Sequence, residues 1–310
     1  MSIEVKNLTK IFGQQKAVND ITFSLSKGEI VGFLGPNGAG KSTTMKMITG
    51  YLEPDEGTMT VSGIDVLKHP LEVKKKVGYL PESNALYYDM YVREYLGFLS
   101  EIHAVSNRKQ RIEEVISLTG LTAESKKKIG QLSKGYKQRV GIAAALIHNP
   151  EVLILDEPTS GLDPNQIIEI RNVIKEQGKD KLVLFSSHIL QEVEAICDRV
   201  IIINKGKLVA DDKLANLQNI NRNIQTVIVQ FAEKVDKTLL QNLKDAEKVE
   251  EMQNAGFQIQ TFKADSVRKG LLSLALEHNL NIVSLQTQNQ SLEKIFRTLT
   301  AAPSVSETIV

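Results

Sequence analysis

The stretch GPNGAGKS at residues 35–42 decides the fold class, because it matches the phosphate-binding pattern G-x-x-x-x-G-K-[ST]. The stretch follows the apolar run of residues 30–34 and precedes a helical pattern at residues 42–51. A phosphate-binding loop works only in this position, between a strand and a helix. The glycines let backbone N–H groups curl around phosphates, and the helix N-terminus adds a positive dipole end. The residues predicted to bind a nucleotide here are Gly35, Pro36, Asn37, Gly38, Ala39, Gly40, Lys41, Ser42 and Thr43.

Two carboxylates at the end of another apolar run are predicted to complete this site. In the run LILDE at residues 153–157, a buried strand delivers Asp156 and Glu157 to its C-terminal end, where open α/β sheets bind their ligands. Lys41 is expected to pair with the β and γ phosphates of ATP, and Ser42 to ligate Mg²⁺. Asp156 is expected to hold Mg²⁺ through water, and Glu157 to polarise the attacking water as general base. An Asp-Glu pair alone fits a solvated turn equally well, but the neighbouring phosphate loop disfavours that interpretation.

The first 215 residues alternate short apolar runs with helical patterns, which is typical of an α/β domain. Apolar runs of four residues at 152–155, 182–185 and 200–203 are typical of strands covered on both faces, so the central sheet is predicted to be mostly parallel. Residues 92–145 are mostly helical in pattern. They predict a helical insertion, which we place at about residues 85–150 of this domain.

A polar stretch at residues 216–223 is interpreted as a linker to a second domain, residues 224–310. The tail predicts the order strand, helix, strand, strand, helix, strand, followed by a closing helix at residues 292–299. A turn at residues 254–256 makes the two middle strands a hairpin. This order is the ferredoxin-like one, so we expect a small α+β domain.

Composition excludes several classes of protein. The chain of 310 residues carries 38 Lys and Arg against 37 Asp and Glu, and a net charge of +1 argues against a protein held on nucleic acid by bulk charge. The one cysteine, Cys197, forms no internal disulfide, which fits a reducing compartment, and we predict no function for its thiol. No apolar run approaches the ~20 residues that span a bilayer, and the first residues lack the apolar stretch of a signal peptide. These features predict a soluble, cytoplasmic protein.

Further motifs occur in the order of one known family. LSKGY at residues 132–136 stands in the place of an LSGGQ-like signature, and SGLD at residues 160–163 matches a D-loop. His188 follows two serines, as a switch histidine does, and Phe12 stands at the position of an adenine-stacking aromatic. On these motifs the first 215 residues resemble the nucleotide-binding subunit of an ABC transporter. The resemblance implies a P-loop NTPase cassette with a mostly parallel central sheet, an antiparallel β part and a helical insertion.

The resemblance also implies a mechanism that needs two copies of the cassette. In this family two cassettes close head to tail, and the signature of one completes the ATP site begun by the phosphate loop of the other. Ser133 and Gly135 would then donate to a γ-phosphate across the interface. His188 would touch that phosphate and help to hold Glu157 and the water, while Asp163 would couple the two sites. The implied partners are a second copy and an integral-membrane permease, with the chain peripheral on the cytoplasmic face of the inner membrane.

Three positions depart from the family pattern. Glu82 replaces a glutamine that reaches Mg²⁺ and senses the membrane partner, so it keeps an oxygen ligand for the metal but adds negative charge near the γ-phosphate. Tyr136 replaces the usual glutamine of the signature, and Lys134 replaces its usual glycine. The Lys134 side chain either points to solvent or adds a cation toward the opposing phosphate. NKGK at residues 204–207 resembles the guanine-reading N-K-x-D but fails at Lys207, so we interpret it as a hairpin turn.

Five of the seven tyrosines lie within residues 79–95, around Glu82. Aromatic side chains concentrated beside a nucleotide-sensing loop are typical of a docking groove for a partner's helix. Tyr79 and Tyr95 are expected to pack the insertion instead. The residues expected to form the interface with the membrane subunit are Leu86, Tyr87, Tyr88 and Tyr91.

Three short segments resemble those of exporter-type subunits related to antibiotic and multidrug efflux. They are GYLPE at residues 78–82, LSKGY at residues 132–136 and SLEKIF at residues 291–296. Within that group the overall sequence is similar to that of the ATP-binding subunit associated with bacterial gliding motility. An ATPase that energises export or another membrane process is therefore the favoured function. The alternative is a soluble ATP-gated clamp of the repair or translation type, but neither a second cassette nor a long coiled coil occurs in the sequence. A regulatory module with little turnover is disfavoured by Glu157.

Overall fold

The computed structural model describes residues 2–216, 225–252 and 256–289. The chain divides into two compact units, the first ending at Lys213 and the second beginning at Leu214. Residues 217–223 of the predicted linker, residues 254 and 255 of the predicted turn and the predicted closing helix at 292–299 lie outside the described residues.

Short apolar runs and helical patterns alternate in the first unit as the sequence predicts. Its strands are β1 (Ile3–Phe12), β2 (Gln15–Leu25), β3 (Ile30–Leu34), β4 (Glu56–Val61), β5 (Ile64–Asp65), β6 (Val77–Leu80), β7 (Val152–Asp156), β8 (Leu182–Ser187), β9 (Arg199–Asn204) and β10 (Lys207–Lys213). Its helices are α1 (Lys41–Ile48), α2 (Pro70–Lys76), α3 (Val92–Ile102), α4 (Arg108–Leu118), α5 (Lys134–Leu146), α6 (Pro164–Gly178) and α7 (Leu190–Ile196).

The central sheet has six strands in the order β10-β9-β3-β8-β7-β6. All neighbours are parallel except β9 and β10, which form an antiparallel hairpin. Every residue of β3, β7 and β8 is buried, because the sheet is covered on both faces. The prediction of a mostly parallel sheet is confirmed.

The turn between β9 and β10 confirms the hairpin interpretation of residues 204–207. Lys205 and Gly206 both have positive φ, at 47° and 78°, and Lys207 pairs with Asn204. Two successive residues of positive φ match the twist of the flanking strands, so this stretch is a structural turn and not a guanine-reading motif.

A second, antiparallel sheet of the first unit has the order β2-β1-β4-β5. Its inward side chains, among them Ile3, Phe23 and Met59, join those of β3 and α1 in one hydrophobic core. This shared core fixes the antiparallel sheet against the face of the central sheet that carries α1. The antiparallel part of the predicted fold is therefore confirmed.

Helices α3, α4 and α5 form the predicted insertion, and the structure corrects the expectations about one tyrosine and one leucine near it. Tyr95 is buried in α3 as expected, but the Tyr79 ring packs on Tyr51 at 5.5 Å and against the core of the first unit. Leu86 is 8% exposed, so it belongs to the packed interior rather than to an exposed interface. Leu86 is buried because its side chain has no polar group, whereas the neighbouring tyrosines can keep their hydroxyl groups in water.

The second unit contains β11 (Gln225–Phe231), α8 (Lys237–Gln241), β12 (Lys248–Met252), β13 (Gly256–Thr261), α9 (Ala264–Glu277) and β14 (Ile282–Asn289). Its sheet has the order β12-β13-β11-β14, and all neighbouring strands are antiparallel. Val227, Phe231, Phe257 and Leu271 lie in its own hydrophobic core. The sequence of elements and the pairing of β12 with β13 agree with the ferredoxin-like order.

No helix in the part of the chain that the structure describes is long and apolar enough to cross a membrane.

His148, which follows α5, is a half-buried titratable group in the first unit. Its Nε2 lies 3.1 Å from the Val77 carbonyl oxygen, and its ring stacks on that of His103 with 4.1 Å between centroids. Burial, aided by His103 and Arg111, lowers the pKa of His148 to about 4. The folded protein therefore keeps this imidazole neutral where an unfolded chain would protonate it.

This depressed pKa predicts a loss of stability in mild acid. A base whose pKa falls on folding stabilises the protein above its unfolded pKa, and this stabilisation is lost as the pH falls toward the folded value. Between about pH 6.5 and pH 4, the wild-type free energy of unfolding should fall by up to about 3 kcal/mol more than that of His148→Gln, as measured by urea titration. His278→Gln removes an exposed histidine and should follow the wild-type curve; parallel curves for all three proteins would contradict the assignment.

Candidate nucleotide-binding and catalytic site

The phosphate loop turns sharply from β3 into α1. Gly38 and Gly40 have φ of 77° and 110°, and a Cβ added to Gly40 would lie 2.5 Å from the Ala17 carbonyl oxygen. Only glycine adopts these angles and this close approach without strain. The loop thus presents backbone N–H groups at the N-terminus of α1, where an anion is stabilised.

The Lys41 side chain lies inside the loop and is 6% exposed. Its ammonium donates to the carbonyl oxygens of Gly35 at 2.7 Å and Pro36 at 3.3 Å, and its Nζ lies 3.4 Å from Glu157 Oε1. A buried ammonium needs such partners to offset desolvation. The Lys41 side chain is therefore fixed at the floor of the loop.

Asp156 and Glu157 stand at the C-terminal end of β7, as the sequence predicts, and Ser186 of β8 connects them. The Ser186 hydroxyl donates to Asp156 Oδ1 at 2.6 Å and accepts from the Glu157 backbone N–H at 2.9 Å. Glu157 has a φ of 50°, so the chain turns sharply and aims its side chain back toward Lys41. Asp156 is 1% exposed, and its Oδ2 has no hydrogen-bond partner within the described residues.

The Glu157 carboxylate is held between two cationic or donor groups. Besides Lys41 at Oε1, His188 Nδ1 lies 2.9 Å from Oε2. Burial raises the pKa of Glu157 above its ordinary value, while Lys41 and His188 act in the opposite direction. A carboxylate whose pKa is raised is a stronger base than one in water, so this position suits proton abstraction.

Lys41 and Glu157 border a cleft of about 450 Å³, whereas Asp156 and His188 are not among the residues that line it. Phe12, 51% exposed, lies at one end, with the Lys10 ammonium 5.7 Å from its ring centroid. The residues that line the cleft are Phe12, Gln15, Ala17, Asn37, Gly38, Gly40, Lys41, Ser42, Thr43, Glu82 and Glu157. The structure thus brings the predicted aromatic, phosphate-binding and acidic residues together around one space of nucleotide dimensions.

Ser133 and Gly135 are not among the residues that line this cleft. Ser133 caps α5, where its hydroxyl accepts from the Tyr136 N–H at 3.4 Å, and Gly135 packs against the side chain of Gln166 in α6. Lys134 is exposed, but its ammonium lies over Gly161 of the D-loop, where a Cβ would collide with it. The side chain therefore follows its own chain's D-loop and does not extend freely into solvent.

Asp163 caps the next helix. Its Oδ1 accepts from the Gln166 N–H at 3.0 Å, and Pro164 follows at the first position of α6. This geometry accounts for Asp163 as a helix N-cap. Its coupling of two ATP sites stays a prediction.

Sequence reasoning gave Ser186 no role, although the structure places it at the centre of the acidic pair. The hydroxyl is found only through the strand order, because β8 lies beside β7 with Asp156 in register with Ser186. Ser187 is used differently: its hydroxyl donates to the buried Glu192 carboxylate at 2.7 Å and accepts from the Ile189 N–H at 3.0 Å. This second bond fixes the backbone that carries His188.

A sequence model described as ABC transporter matches residues 18–160 of the chain. The chain is 36% identical over 307 residues to the linearmycin resistance ATP-binding protein LnrL of Bacillus subtilis (strain 168), covering 96% of this chain and 98% of that protein. It is 41% identical to the bacitracin transport ATP-binding protein BcrA of Bacillus licheniformis, covering 71% of this chain and 72% of that protein.

The fold is similar to that of a solved dimer of an ATP-binding cassette in a post-hydrolysis state, bound to ADP and Pi. The TM-score is 0.63 at 25% sequence identity, over 68% of this chain and 98% of the cassette. The range matched by the sequence model, residues 18–160, contains both the phosphate loop and the acidic strand end. The chain therefore belongs to the ABC transporter ATP-binding proteins, a family of ATPases coupled to transport, as the ATP-binding subunit of such a transporter.

Proposed function

We propose that the chain hydrolyses ATP at Glu157, as one half of a head-to-tail dimer, and energises export through a separate membrane subunit. The observation that carries the proposal is the buried Glu157 carboxylate, which lies 3.4 Å from Lys41 Nζ and 2.9 Å from His188 Nδ1 at the edge of the phosphate cleft. A regulatory module without turnover has no need of a buried base in this position.

Binding of the triphosphate is expected to free Glu157 as the base. The phosphates offer Lys41 stronger anionic partners than one carboxylate, so its ammonium moves from Glu157 Oε1 to the β and γ phosphates. Loss of the nearby cation raises the pKa of Glu157 further. Glu157 then takes a proton from water as the water oxygen bonds to the γ phosphorus, and the bond from that phosphorus to the bridging oxygen of ADP breaks.

His188 and the phosphate loop orient the reacting groups. His188 Nδ1 faces Glu157 Oε2, which leaves Nε2 as the nitrogen available to a γ-phosphate. The exposed Phe12 ring offers a stacking face for adenine, and Thr43 and Asn37 line the cleft beside the phosphates. These residues position the nucleotide in line with the base.

Mg²⁺ fits the donor set at the strand end. Asp156 Oδ2 is a buried acceptor without a hydrogen-bond partner among the described residues, and Ser42 and Glu82 supply oxygens from the cleft. Mg²⁺ is commonly bound by one or two carboxylates together with phosphate oxygens and water. When bound, it neutralises phosphate charge.

Removing the base while keeping its shape tests the proposal directly. Glu157→Gln should lower the rate of ATP hydrolysis by at least about 100-fold, because the amide cannot accept the proton of water. ATP binding should persist, so an ATP-bound dimer should accumulate in size-exclusion chromatography. Hydrolysis at the wild-type rate would exclude Glu157 as the base.

Ser186 should affect the same reaction by positioning the acidic pair. Ser186→Ala removes the hydrogen bonds to Asp156 Oδ1 and to the Glu157 N–H, and we expect a roughly tenfold lower kcat with little change in the KM for ATP. Ser186→Thr keeps the hydroxyl and should restore most of the activity. A loss that appears only in KM would argue for a role in nucleotide binding instead.

The position of the signature residues supports a dimer. Ser133 and Gly135 stand at the N-terminus of α5 but do not line the cleft of their own chain, so their donors are available to a second copy. ABC ATP-binding cassettes dimerise, and the similar solved cassette is a dimer. We infer that each signature completes the partner's ATP site.

The membrane subunit is expected to dock on an exposed aromatic surface, which consists of Tyr87, Tyr88, Tyr91 and Phe98. Tyr87, Tyr88 and Tyr91 are 59%, 54% and 48% exposed. Lysine side chains support two of these rings, with Lys137 Nζ 5.0 Å from the Tyr88 centroid and Lys128 Nζ 6.0 Å from that of Tyr91. Exposed aromatics held in fixed positions are typical of interface anchors.

Tyr88→Ala tests this surface. We expect unchanged ATP binding and about tenfold weaker association with the membrane subunit, since truncating an aromatic anchor costs ~1–2 kcal/mol. The measurement is co-purification of the membrane subunit across a series of detergent washes. Phe262→Ala removes an exposed aromatic of the second unit and serves as the control. Equal retention by both variants would place the interface elsewhere.

Export is favoured by the relatives named for linearmycin resistance and bacitracin transport. We therefore propose an antibiotic-like substrate, carried by the membrane subunit, and a place for this chain on the cytoplasmic face of the plasma membrane. A role in gliding motility stays a prediction from the sequence, since neither of these relatives carries that function in its name. A soluble clamp is the alternative, and failure to find any membrane subunit in a pull-down would favour it.

A further inference from the structure

Glu192 is a buried carboxylate that the mechanism described above does not use. It lies in the first turn of α7 and is 2% exposed. Its Oε2 accepts a hydrogen bond from the Ser187 hydroxyl at 2.7 Å. Burying a carboxylate costs free energy, and an apolar side chain would pack in this place without that cost. The presence of a glutamate is therefore explained by what its hydrogen bond does.

This hydrogen bond fixes the direction of the Ser187 hydroxyl. A serine hydroxyl has one proton to donate and two lone pairs that accept. Because the proton points to Glu192, the lone pairs stay available to the Ile189 N–H, which donates at 3.0 Å. The Ile189 carbonyl oxygen accepts in turn from the Glu192 backbone N–H at 3.2 Å. Both backbone groups of Ile189 are thus held, one by the serine and one by the glutamate.

The position of His188 depends on this turn, because packing holds neither His188 nor the residue after it. The His188 side chain is 42% exposed, and Ile189 is 41% exposed. Among the described residues, the hydrogen-bond partner of the imidazole is Glu157, with 2.9 Å between Nδ1 and Oε2. A half-exposed ring with one such partner keeps its direction only if the backbone that carries it is fixed.

Helix α7 gives Glu192 a fixed place relative to the central sheet. Val193 and Ile196 of this helix are buried. Val193 lies directly on Gly32 of β3, where an added Cβ would be 2.5 Å from the Val193 Cγ1. Such close packing leaves the helix little freedom to shift. Glu192 therefore connects a firmly packed helix to an exposed turn.

We propose that Glu192 is a positioning residue for ATP hydrolysis: through Ser187 it fixes the turn that directs the His188 imidazole to the Glu157 carboxylate. The proposal rests on the proposed function, because His188 and Glu157 act on the nucleotide there. Glu192 itself touches no reacting group, and no bond forms or breaks at it during the reaction. Its effect falls on the turnover rate, since His188 orients the base while the phosphate loop and Phe12 hold the nucleotide.

The first experiment follows the imidazole itself, in the full chain without nucleotide. The chain has five histidines, so protein carrying ¹³C-labelled histidine gives five ring signals in NMR, and the His188 signal is the one that His188→Gln removes. We expect Glu192→Ala to shift or broaden the His188 signal, because the released turn lets the ring take several directions. The other four signals should stay in place. An unchanged His188 signal would overturn the proposal, and so would a displacement of all five, which would mark a general structural role.

The matching amide distinguishes the hydrogen bond from the mere filling of space. Glu192→Gln keeps an oxygen that accepts from Ser187, so it should keep the wild-type His188 signal and a kcat within about twofold of wild type. Glu194→Ala removes an exposed glutamate from the same helix and should also behave as wild type. An effect of Glu192→Gln as large as that of Glu192→Ala would refute the role of the hydrogen bond.

Steady-state hydrolysis of ATP gives the second readout. Glu192→Ala should lower kcat roughly tenfold and leave the KM for ATP within about twofold, because a misdirected histidine disturbs the reacting groups more than nucleotide binding. Ser187→Ala removes the next link and should lower kcat to a similar extent. A change that appears only in KM would contradict a positioning role for Glu192.

A double-mutant cycle tests whether Glu192 acts through His188. In the His188→Gln background, Glu192→Ala should lower the residual kcat by less than about twofold, because the two changes remove one interaction. A glutamate that only stabilised the fold would cost the same factor in both backgrounds. Full additivity of the two substitutions would therefore refute the proposal.

The two readouts separate this inference from the proposed function. A chain that shows the expected change of the His188 signal but does not hydrolyse ATP would defeat the proposed function and support the positioning of His188 by Glu192. A chain that hydrolyses ATP, and in which Glu192→Ala changes neither the His188 signal nor kcat, would defeat this inference alone.

Discussion

Three parallel strands, β3, β7 and β8, end side by side at one edge of the central sheet, and the whole ATP site depends on their register. Leu34 pairs with Ser187 and Asp156 with Ser186, so the phosphate loop, the acidic pair and His188 leave the sheet at neighbouring points. A slip of one residue would turn every side chain to the opposite face. The Ser186 hydroxyl, which bonds both Asp156 and the Glu157 backbone, is the visible result of this alignment.

The same arrangement resolves a conflict between burial and charge. Removing a carboxylate from water is costly, and Glu157 tolerates it because Lys41 and His188 stand against its two oxygens. Burial also raises the pKa of Glu157, which makes it a better base. In the proposed mechanism, a nucleotide that attracts Lys41 removes this cation from beside the Glu157 carboxylate.

The helical insertion carries Ser133 and Gly135, which do not line this cleft. Ser133 and Gly135 open α5, and the contacts of Gly135 with Gln166 and of Lys134 with Gly161 tie the signature to the D-loop of its own chain. The two motifs thus form one surface rather than two independent loops. A second copy would meet both at once, which suits a dimer whose two ATP sites act together.

The sequence alone determined the local chemistry. GPNGAGKS specifies its turn because the angles of Gly38 and Gly40 exclude most other residues, and the four-residue apolar runs match strands buried on both faces. Hence the class of fold, the mostly parallel sheet, the position of the phosphate loop and the acidic strand end followed from short segments. The element order of the second unit followed in the same way, because alternation and helical periods are local.

Only the tertiary structure decided the contacts between residues that are distant in the sequence. The role of Ser186 arises from the pairing of β7 with β8, 30 residues from Asp156 along the chain. The burial of Leu86, the packing of Tyr79 on Tyr51, the position of Lys134 over Gly161 and the stacking of His103 on His148 likewise have no local signature. A sequence pattern reports the period of one element, whereas hydrogen bonds, pKa values and cavities are set by the surfaces that separate elements bring together.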